Sequence, residues 1–567
     1  MSETEPESTP RRSHAGTVAA GILSSRIFGL AREAIVLYFF GIGAHTDVFQ
    51  AAFRAPNLLQ NLLGEGTISA AFIPIYSRML EEGRADDAGR FAGAVFGLLV
   101  AVMSVLVLLG ITLARPIVSV LVFGWVNDAA LVAAGALSIN RFELTVQAVR
   151  IIFPMTGVLV LSAWALGILN SHRRFFVPYF APVLWNIAII SALFVGASLF
   201  LDAPASEPGG VPAIEALNRL LFAAFFGALI GGIMQFLVQV PQVVRVMKGF
   251  RLSFSTKVEG VRAAMAAFGP AVAGRGVSQL SGYLDLFLAS LLATGALASL
   301  RPALMLYLLP VSLFGLSVAA SELPELSRIS EEQIRPFLDR LNQSIRQSLF
   351  LTIPTAIGYL GLGFLIVGAL YRRGTFGVTD NWLVYTVLGG YSLGLVATTI
   401  SRLLQNGFWA LRDTKTPAKI AVVRVAISAA VALPLMFLLD RFSVTQTLGM
   451  SLAADEQPLF FGAAGLALGA SVAAWIELWR LRISLRKRLE SFRLPWASVL
   501  KMSGLAIAAM MPAALLWWLL PAWSVLVVAL LVVGVYGVTY LALAYLLHLP
   551  ELNAWTGRFI GRFRKES

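Results

Sequence analysis

The sequence predicts an all-α polytopic membrane protein of about 14 transmembrane helices, arranged as two parallel six-helix lobes followed by two C-terminal helices. Three observations lead there. Hydrophobic residues make up 58% of the 567 residues and charged residues only 13%, with a mean hydropathy of +0.78; a soluble domain is about half apolar and a quarter charged. Apolar runs of about 20 residues, each long enough to cross the hydrocarbon core as a helix, recur along almost the whole chain and leave no sizeable aqueous domain between them. A weak internal repeat returns after about 240–250 residues, as in transporters built from two related halves.

Taken in order, the spans fall at roughly 16–40, 47–76, 91–114, 146–170, 179–201, 217–246, 262–293, 302–326, 347–370, 382–411, 418–439, 458–480, 497–520 and 523–547. Residues 1–15 read as a disordered N-terminus, 16–250 as the first lobe, 262–482 as the second, 495–548 as the appended pair and 549–567 as a basic tail. No A-x-A-type site follows a short apolar core, so the first span is expected to be retained. The repeat rests on FIPIYSR (72–78) against ELPELSR (322–328), GILNSHRRFFVP (167–178) against GFWALRDTKTP (407–417), and GALIGGIMQ (227–235) against GLALGASVA (465–473).

The net charge of +13 has a topological origin. RVMKGFRLSFSTKVEGVR after span 6, ALRDTKTPAK after span 10, RLRISLRKRLESFRLP after span 12 and the tail are basic, whereas loops of the other parity are poor in Lys and Arg. About 30 of the 44 Lys and Arg fall on one side and about six on the other, which places both termini in the cytoplasm. A nucleic-acid partner is not needed to explain the charge. The absence of cysteine excludes disulfides, thiolate metal sites and cysteine nucleophiles. His14, His45, His172 and His548 have no metal-ligand spacing.

Charges inside the spans carry the functional signal. A charge at the bilayer centre costs roughly 2.5–3.5 kcal/mol on insertion scales, so such residues face a cavity or a partner. They are Arg26, Arg32, Glu33, Arg54, Glu65, Arg150, Arg275, Asp285, Glu322, Arg402 and Arg424. Arg150 and Arg424 are near enough to span ends to snorkel to the interface; Arg26 and Arg32 sit near the middle of span 1. In span 2, Arg54, Asn57, Asn61 and Glu65 stand at i, i+3, i+7 and i+11, one narrow helical stripe, with Pro56, Gly64 and Gly66 permitting a bend beside it. The bland reading is a set of buried polar pairs joining helices 1 and 2. The sharper one is a hydrated cavity lined by Arg26, Arg32 and Arg54 and partly balanced by Glu33 and Glu65. Guanidinium forks suit phosphate oxygens, so a ligand with an anionic head and a lipid tail would fit it.

SRIFGLAREAIVLYFFGIGAHTDVFQAAFRAPNLLQNLLGEGTISAAFIPIYS resembles the MurJ (MviN) lipid II flippases of the multidrug/oligosaccharidyl-lipid/polysaccharide (MOP) exporter superfamily, and the similarity continues in GILNSHRRFFVPYFAPVLWNIAII, GGIMQFLVQVP and FWALRDTKTPAKIA. The resemblance implies a 14-helix, two-lobed flippase that carries undecaprenyl-pyrophosphate-linked disaccharide-pentapeptide to the outer leaflet of the bacterial cytoplasmic membrane by alternating access, without a cofactor. It implies substrate contacts for Ser25, Arg26 and Arg32, with Asp47 at the start of span 2, Glu65 at its acidic position and Arg54 at a usually basic one. Asp285 matches an aspartate linked to cation binding, while the partner position on span 11 lacks the family's asparagine. Gln60 and Met305 stand where the family usually has arginine; Arg275 is the expected replacement for the second, ahead of Arg301. Glu33, Asp47, Pro56, Gly64, Gly66 and Glu322 are then gating or structural residues. Spans 13–14 would form the lipid-tail groove, and a monomer is expected.

Three alternatives remain at this level. A divergent superfamily member could move another polyprenyl-linked glycan, the reading the Gln60 and Met305 departures favour. A cation-coupled drug antiporter would place acidic residues where this chain has arginines. A polyprenyl-phosphate enzyme would need a carboxylate or His cluster on a long outer loop, and the longest outer loops, about 20–30 residues, carry sparse, unpaired acids. No P-loop is present, so energy would come from membrane potential, a monovalent cation gradient or product consumption.

Overall fold

The computed structural model describes residues 12–201, 214–316, 326, 334–451, 458–489, 492–520 and 524–552, without the side chains of 12–17, 19, 273–281 and 314–316. Its described residues form helices, with one isolated bridge between Ser443 and Phe460. The chain divides into two compact units, residues 1–40 with 44–291, and 41–43 with 292–567.

The first unit holds α1 (Arg12–Phe40), α2 (Ala44–Ala52), α3 (Arg54–Leu63), α4 (Glu65–Ala71), α5 (Ile73–Glu81), α6 (Ala85–Thr112), α7 (Ala114–Leu121), α8 (Asp128–Ala133), α9 (Arg141–Ser171), α10 (Phe176–Phe200), α11 (Ile214–Leu237), α12 (Val240–Val246) and α13 (Val261–Ser290). The division falls after Leu291, so α13, the seventh span of the sequence reading, packs with the first six. Buried along most of its length, α9 is the axis of this unit. Its start is set by Asn140, whose side chain accepts from the backbone N–H of Glu143 at 3.0 Å. Against it, α10 and α11 meet through glycines: a Cβ on Gly227 would stand 2.5 Å from Ala192 Cβ, and one on Gly231 2.9 Å from the Trp185 backbone. Small residues let apolar helices approach this closely.

The second unit holds α14 (Ala296–Pro310), α15 (Ile334–Tyr371), α16 (Val378–Ser392), α17 (Leu395–Ala410), α18 (Lys415–Leu439), α19 (Val444–Thr447), α20 (Gly462–Arg488), α21 (Trp496–Leu519) and α22 (Val525–Leu546). Here α15 is central. Pro354 inside it has no N–H, which orphans the Phe350 carbonyl. The Tyr540 hydroxyl of α22 donates to that oxygen at 2.8 Å, and Tyr536 donates to Pro354 O at 2.7 Å. The Gly41–Gly43 turn joins this unit through Ile42 N, which donates to Asp380 Oδ2 at 3.3 Å.

Among the described residues ten helices are long and apolar enough to span a membrane, or twelve with two bent pairs counted. Those ten and the pair α16–α17, bent by 40°, coincide with eleven of the expected spans. The other three are α1 with its charges, the broken series α2–α5, and α13, apolar only over Val261–Val272. The second bent pair, Ala114–Leu121 with Phe123–Ala133, turns through 106° where the sequence reading left a loop.

Candidate functional site: a polar cavity in the first unit

Helix α1 crosses α10 at Gly21, where a Cβ would come within 2.7 Å of Tyr179 Cβ. One turn on, this crossing presents Ser25 and Arg26 to a cavity of about 580 Å³. The opposite wall is the break between α3 and α4. There the Gly64 N–H still donates to Gln60 O at 2.8 Å, but the backbone turns so sharply that a Cβ on Gly64 would stand 2.3 Å from that carbonyl. Only glycine fits. The break points Gln60, Asn61, Glu65 and Gly66 into the same space, and Ser162, Pro178, Tyr179, Pro182 and Gln235 from α9, α10 and α11 complete the lining. Gln239 supports that wall: its amide donates to Ser162 Oγ at 2.6 Å and to Gln235 O at 2.8 Å. Arg26, Asn61 and Glu65 are all exposed. The surroundings therefore offer a guanidinium, a carboxylate, amides and hydroxyls at one mouth.

The structure divides the remaining expected residues among other places. Arg32 and Glu33 are buried rather than lining this cavity. Arg32 lies 3.7 Å from the Glu33 carboxylate and over the Trp185 ring at 5.0 Å, and Gln50 of α2 donates to Glu33 Oε1 at 2.6 Å. This cluster pins α1 to α2 and α10. Arg54 opens α3 half-buried; its carbonyl accepts from the Tyr283 hydroxyl of α13 at 2.9 Å. Asn57 is half-buried and Pro56 buried on the same short helix, so the expected four-residue stripe is interrupted: its Asn61 and Glu65 end faces the cavity and its Arg54 end faces α13. Asp47 is buried 3.6 Å from Arg141. Arg141 in turn bonds Asp128 through Nε at 2.8 Å and Nη2 at 3.1 Å, and lies over Trp125 at 4.8 Å. Asp285 is half-buried on the last turns of α13. The Arg275 side chain and Glu322 lie outside the described residues. Among the described residues no cluster of three or more His, Asp or Glu could hold a metal ion.

Sequence reasoning missed Ser162, Tyr179 and Gln235, the polar lining that α9, α10 and α11 contribute. Their signal was three glutamines, Gln235, Gln239 and Gln242, within about two turns in the second half of span 6.

Residues 36–537 match the sequence model of the family described as Lipid II flippase MurJ. A probable lipid II flippase MurJ of Rhizobium tropici is 31% identical over 475 residues, 83% of this chain and 80% of that one. A counterpart from Vibrio cholerae, also named a probable lipid II flippase MurJ, is 29% identical across 95% of this chain and 97% of its own length. Among solved structures, a lipid II flippase MurJ in an inward closed conformation superposes with a TM-score of 0.67 at 23% identity, covering 94% of this chain and 99% of that one. An inward-facing MATE-family multidrug transporter of the MOP superfamily gives 0.56 at 13%, over 84% and 98%. These two likenesses show the fold. The extent of the family match and the identity to the Rhizobium protein settle the rest: the chain belongs to the lipid II flippase MurJ family.

Proposed function

We propose that this chain moves lipid II, the isoprenoid-pyrophosphate-linked precursor of peptidoglycan, from the inner to the outer leaflet by alternating access. It is a multi-pass protein of the bacterial inner membrane and a transporter. The observation that carries the reading is the position of Arg26 in a cavity of about 580 Å³ with Glu65, Asn61 and Ser25. A guanidinium in a span of low dielectric has a planar donor fork that matches pyrophosphate oxygens. The neighbouring carboxylate, amides and hydroxyl suit sugar hydroxyls, and the isoprenoid tail stays in the bilayer or in the groove of spans 13–14. Arg32, Arg54 and Arg275 add positive potential, Asn57 extends the polar stripe, and Pro56, Gly64 and Gly66 form the hinge. Glu33, Asp47 and Glu322 hold the gates.

In this reading the protein acts as a monomer with both termini cytoplasmic. Asp285 binds a monovalent cation, or membrane potential acts on the cavity charges directly; the chemistry needs no covalent step. The test is complementation of a strain depleted of its own lipid II flippase, comparing wild type, Arg26→Ala and Arg32→Ala at matched expression. Rescue by wild type and loss of rescue by Arg26→Ala is the expected result. A well-expressed wild type that neither rescues nor binds lipid II would overturn the substrate assignment. Arg275→Ala is expected to impair transport as well; unchanged flipping would remove that residue from the site.

A further inference from the structure

The second unit contains a buried polar cluster that the first cavity does not use. Helices α18 and α20 run antiparallel in close contact: a Cβ on Gly465 would stand 2.5 Å from Met436 N, and one on Gly469 2.7 Å from Ala432 Cα. Two further turns along the same register bring Arg424 opposite Glu477. There Arg424 Nη1 donates to Glu477 Oε2 at 2.9 Å, and Gln405 Nε2 of α17 donates to Oε1 at 3.1 Å. Glu477 is fully buried, but the Arg424 side chain keeps about a third of its surface exposed. Arg402, one turn before Gln405 on α17, is exposed and close enough to act electrostatically on both Glu477 and Tyr307. The Tyr307 hydroxyl donates to Thr398 Oγ1 at 3.0 Å on that same face. Arg402 thus stands at the exposed edge of the cluster. Arg424 bonds the Glu477 carboxylate directly, and the Arg402 charge acts on it from the neighbouring helix.

The internal repeat says where this cluster stands. The alignments of 167–178 with 407–417 and of 227–235 with 465–473 pair Arg402 with Ser162 and Glu477 with Gln239. The glycine contacts agree, because Gly227 and Gly231 serve the α10–α11 contact as Gly465 and Gly469 serve α18–α20. In the first unit Ser162 lines the cavity and Gln239 bonds it. The second unit carries arginine and glutamate at the counterpart positions.

We propose that Arg402 and Arg424 form a second anion-binding site, which takes a phosphate group of the transported isoprenoid pyrophosphate, and that Glu477 is the internal carboxylate this phosphate displaces. The assignment rests on the flippase reading above. A carboxylate and a phosphate present the same oxygens to a guanidinium, and a buried carboxylate with two donors holds Arg424 in place until a doubly charged competitor arrives.

Purified full-length protein in nanodiscs, titrated with geranylgeranyl pyrophosphate and separately with inorganic pyrophosphate, tests it. Arg402→Gln is expected to weaken the isoprenoid ligand by about fivefold or more and Glu477→Gln to tighten it by a similar factor, the loss and gain of one charge-assisted contact. The charge-neutral pair Arg424→Gln/Glu477→Gln should keep the melting temperature yet bind more weakly than Glu477→Gln. Binding unchanged in Arg402→Gln, or weakened in Glu477→Gln in step with a lower melting temperature, makes the cluster a structural ion pair and overturns the proposal. Equal affinity for inorganic pyrophosphate assigns the site to free anions and overturns the amphiphile. A wild type that binds neither ligand takes the flippase reading down too, whereas normal wild-type binding with indifferent variants removes only this site.

Discussion

Gly64 shows at the level of one residue how the cavity depends on backbone shape. Its replacement by alanine puts a methyl 2.3 Å from the Gln60 carbonyl, and backbone cannot step aside as a flexible side chain can. The break between α3 and α4 then has to shift, at about 1–3 kcal/mol, carrying Asn61 and Glu65 with it. Gly64→Ala should lower lipid II flipping by tenfold or more, while Gly29→Ala, with nothing within 4 Å of its Cβ position, should leave flipping and stability alone. A fully active Gly64→Ala protein would show that the break is not needed. His172 carries a separate expectation. It caps α9 beside the Tyr76 hydroxyl at 3.1 Å, and burial first, then the Arg174 charge, hold its pKa below the usual value. The unfolded chain takes up that proton near pH 6.5 while the native chain resists it, so stability is full above that value and falls as the pH drops below it. Thermal melts between pH 7.5 and 5.5 should slope downward with acid and slope less in His172→Gln, the remainder coming from His45, whose burial lowers its pKa to about 4. Charged members of the site, Arg26 and Glu65, were legible in the sequence because a charge in an apolar span demands a reason. Ser162, Tyr179 and Gln235 were not, since a neutral polar group in a span is common and its direction is fixed only by how helices rotate against each other. The separation of Arg32 from Arg26 was partly legible, since six residues set them about 120° apart around α1; what the spacing could not give is the burial of Arg32 between Glu33 and Trp185.

At the scale of elements, the bent segment α7–α8 was invisible because neither arm reaches the length of a span. What holds it is also non-local. Gly124 lets the turn approach α13, with Ser290 O only 2.0 Å from where a Cβ would stand, and Ser290 Oγ accepts from Gly124 N at 3.2 Å. Arg141 then ties the segment to α9 and α2 through Asp128 and Asp47, two carboxylates at most 1% exposed. Removing that one cation leaves the buried Asp128 carboxylate without its counter-ion, which typically destabilises by about 3–5 kcal/mol. Arg141→Gln should therefore lower the melting temperature sharply, whereas the double change Arg141→Gln/Asp128→Asn should recover part of it; a single variant as stable as wild type would mean that the clamp is idle. The broken α2–α5 series was half legible. Pro56, Gly64 and Gly66 signalled a bend; the break at Phe53 precedes Pro56 and that at Phe72 precedes Pro74, prolines that leave the Ala52 and Ala70 carbonyls without their helical donors, while packing against α9 and α13 sets how the pieces are angled.

For the whole molecule, the pattern of charge outside the membrane is the lever on orientation. The two-lobed architecture could be read from a repeat that survives in short motifs, because the glycines that let α10 meet α11 and α18 meet α20 must stay small in both halves. Which helices cluster together could not: α13 packs with the first unit although its loop position suggested the second. Orientation follows from a different physics, the bias of about 30 Lys and Arg against six between alternate loops, and it predicts that both ends of the chain stay in the cytoplasm. A fluorescent protein fused after Ser567 should fluoresce and an alkaline phosphatase at the same point should be inactive, while phosphatase inserted in the acidic loop at 202–213 should be active. The opposite pattern would reverse every span. Arg26, ten residues from the first end of span 1, would then lie just past the middle of the bilayer on the side remote from where a pyrophosphate-linked precursor is made, and it could receive the anionic head only after the head had crossed more than half of the membrane.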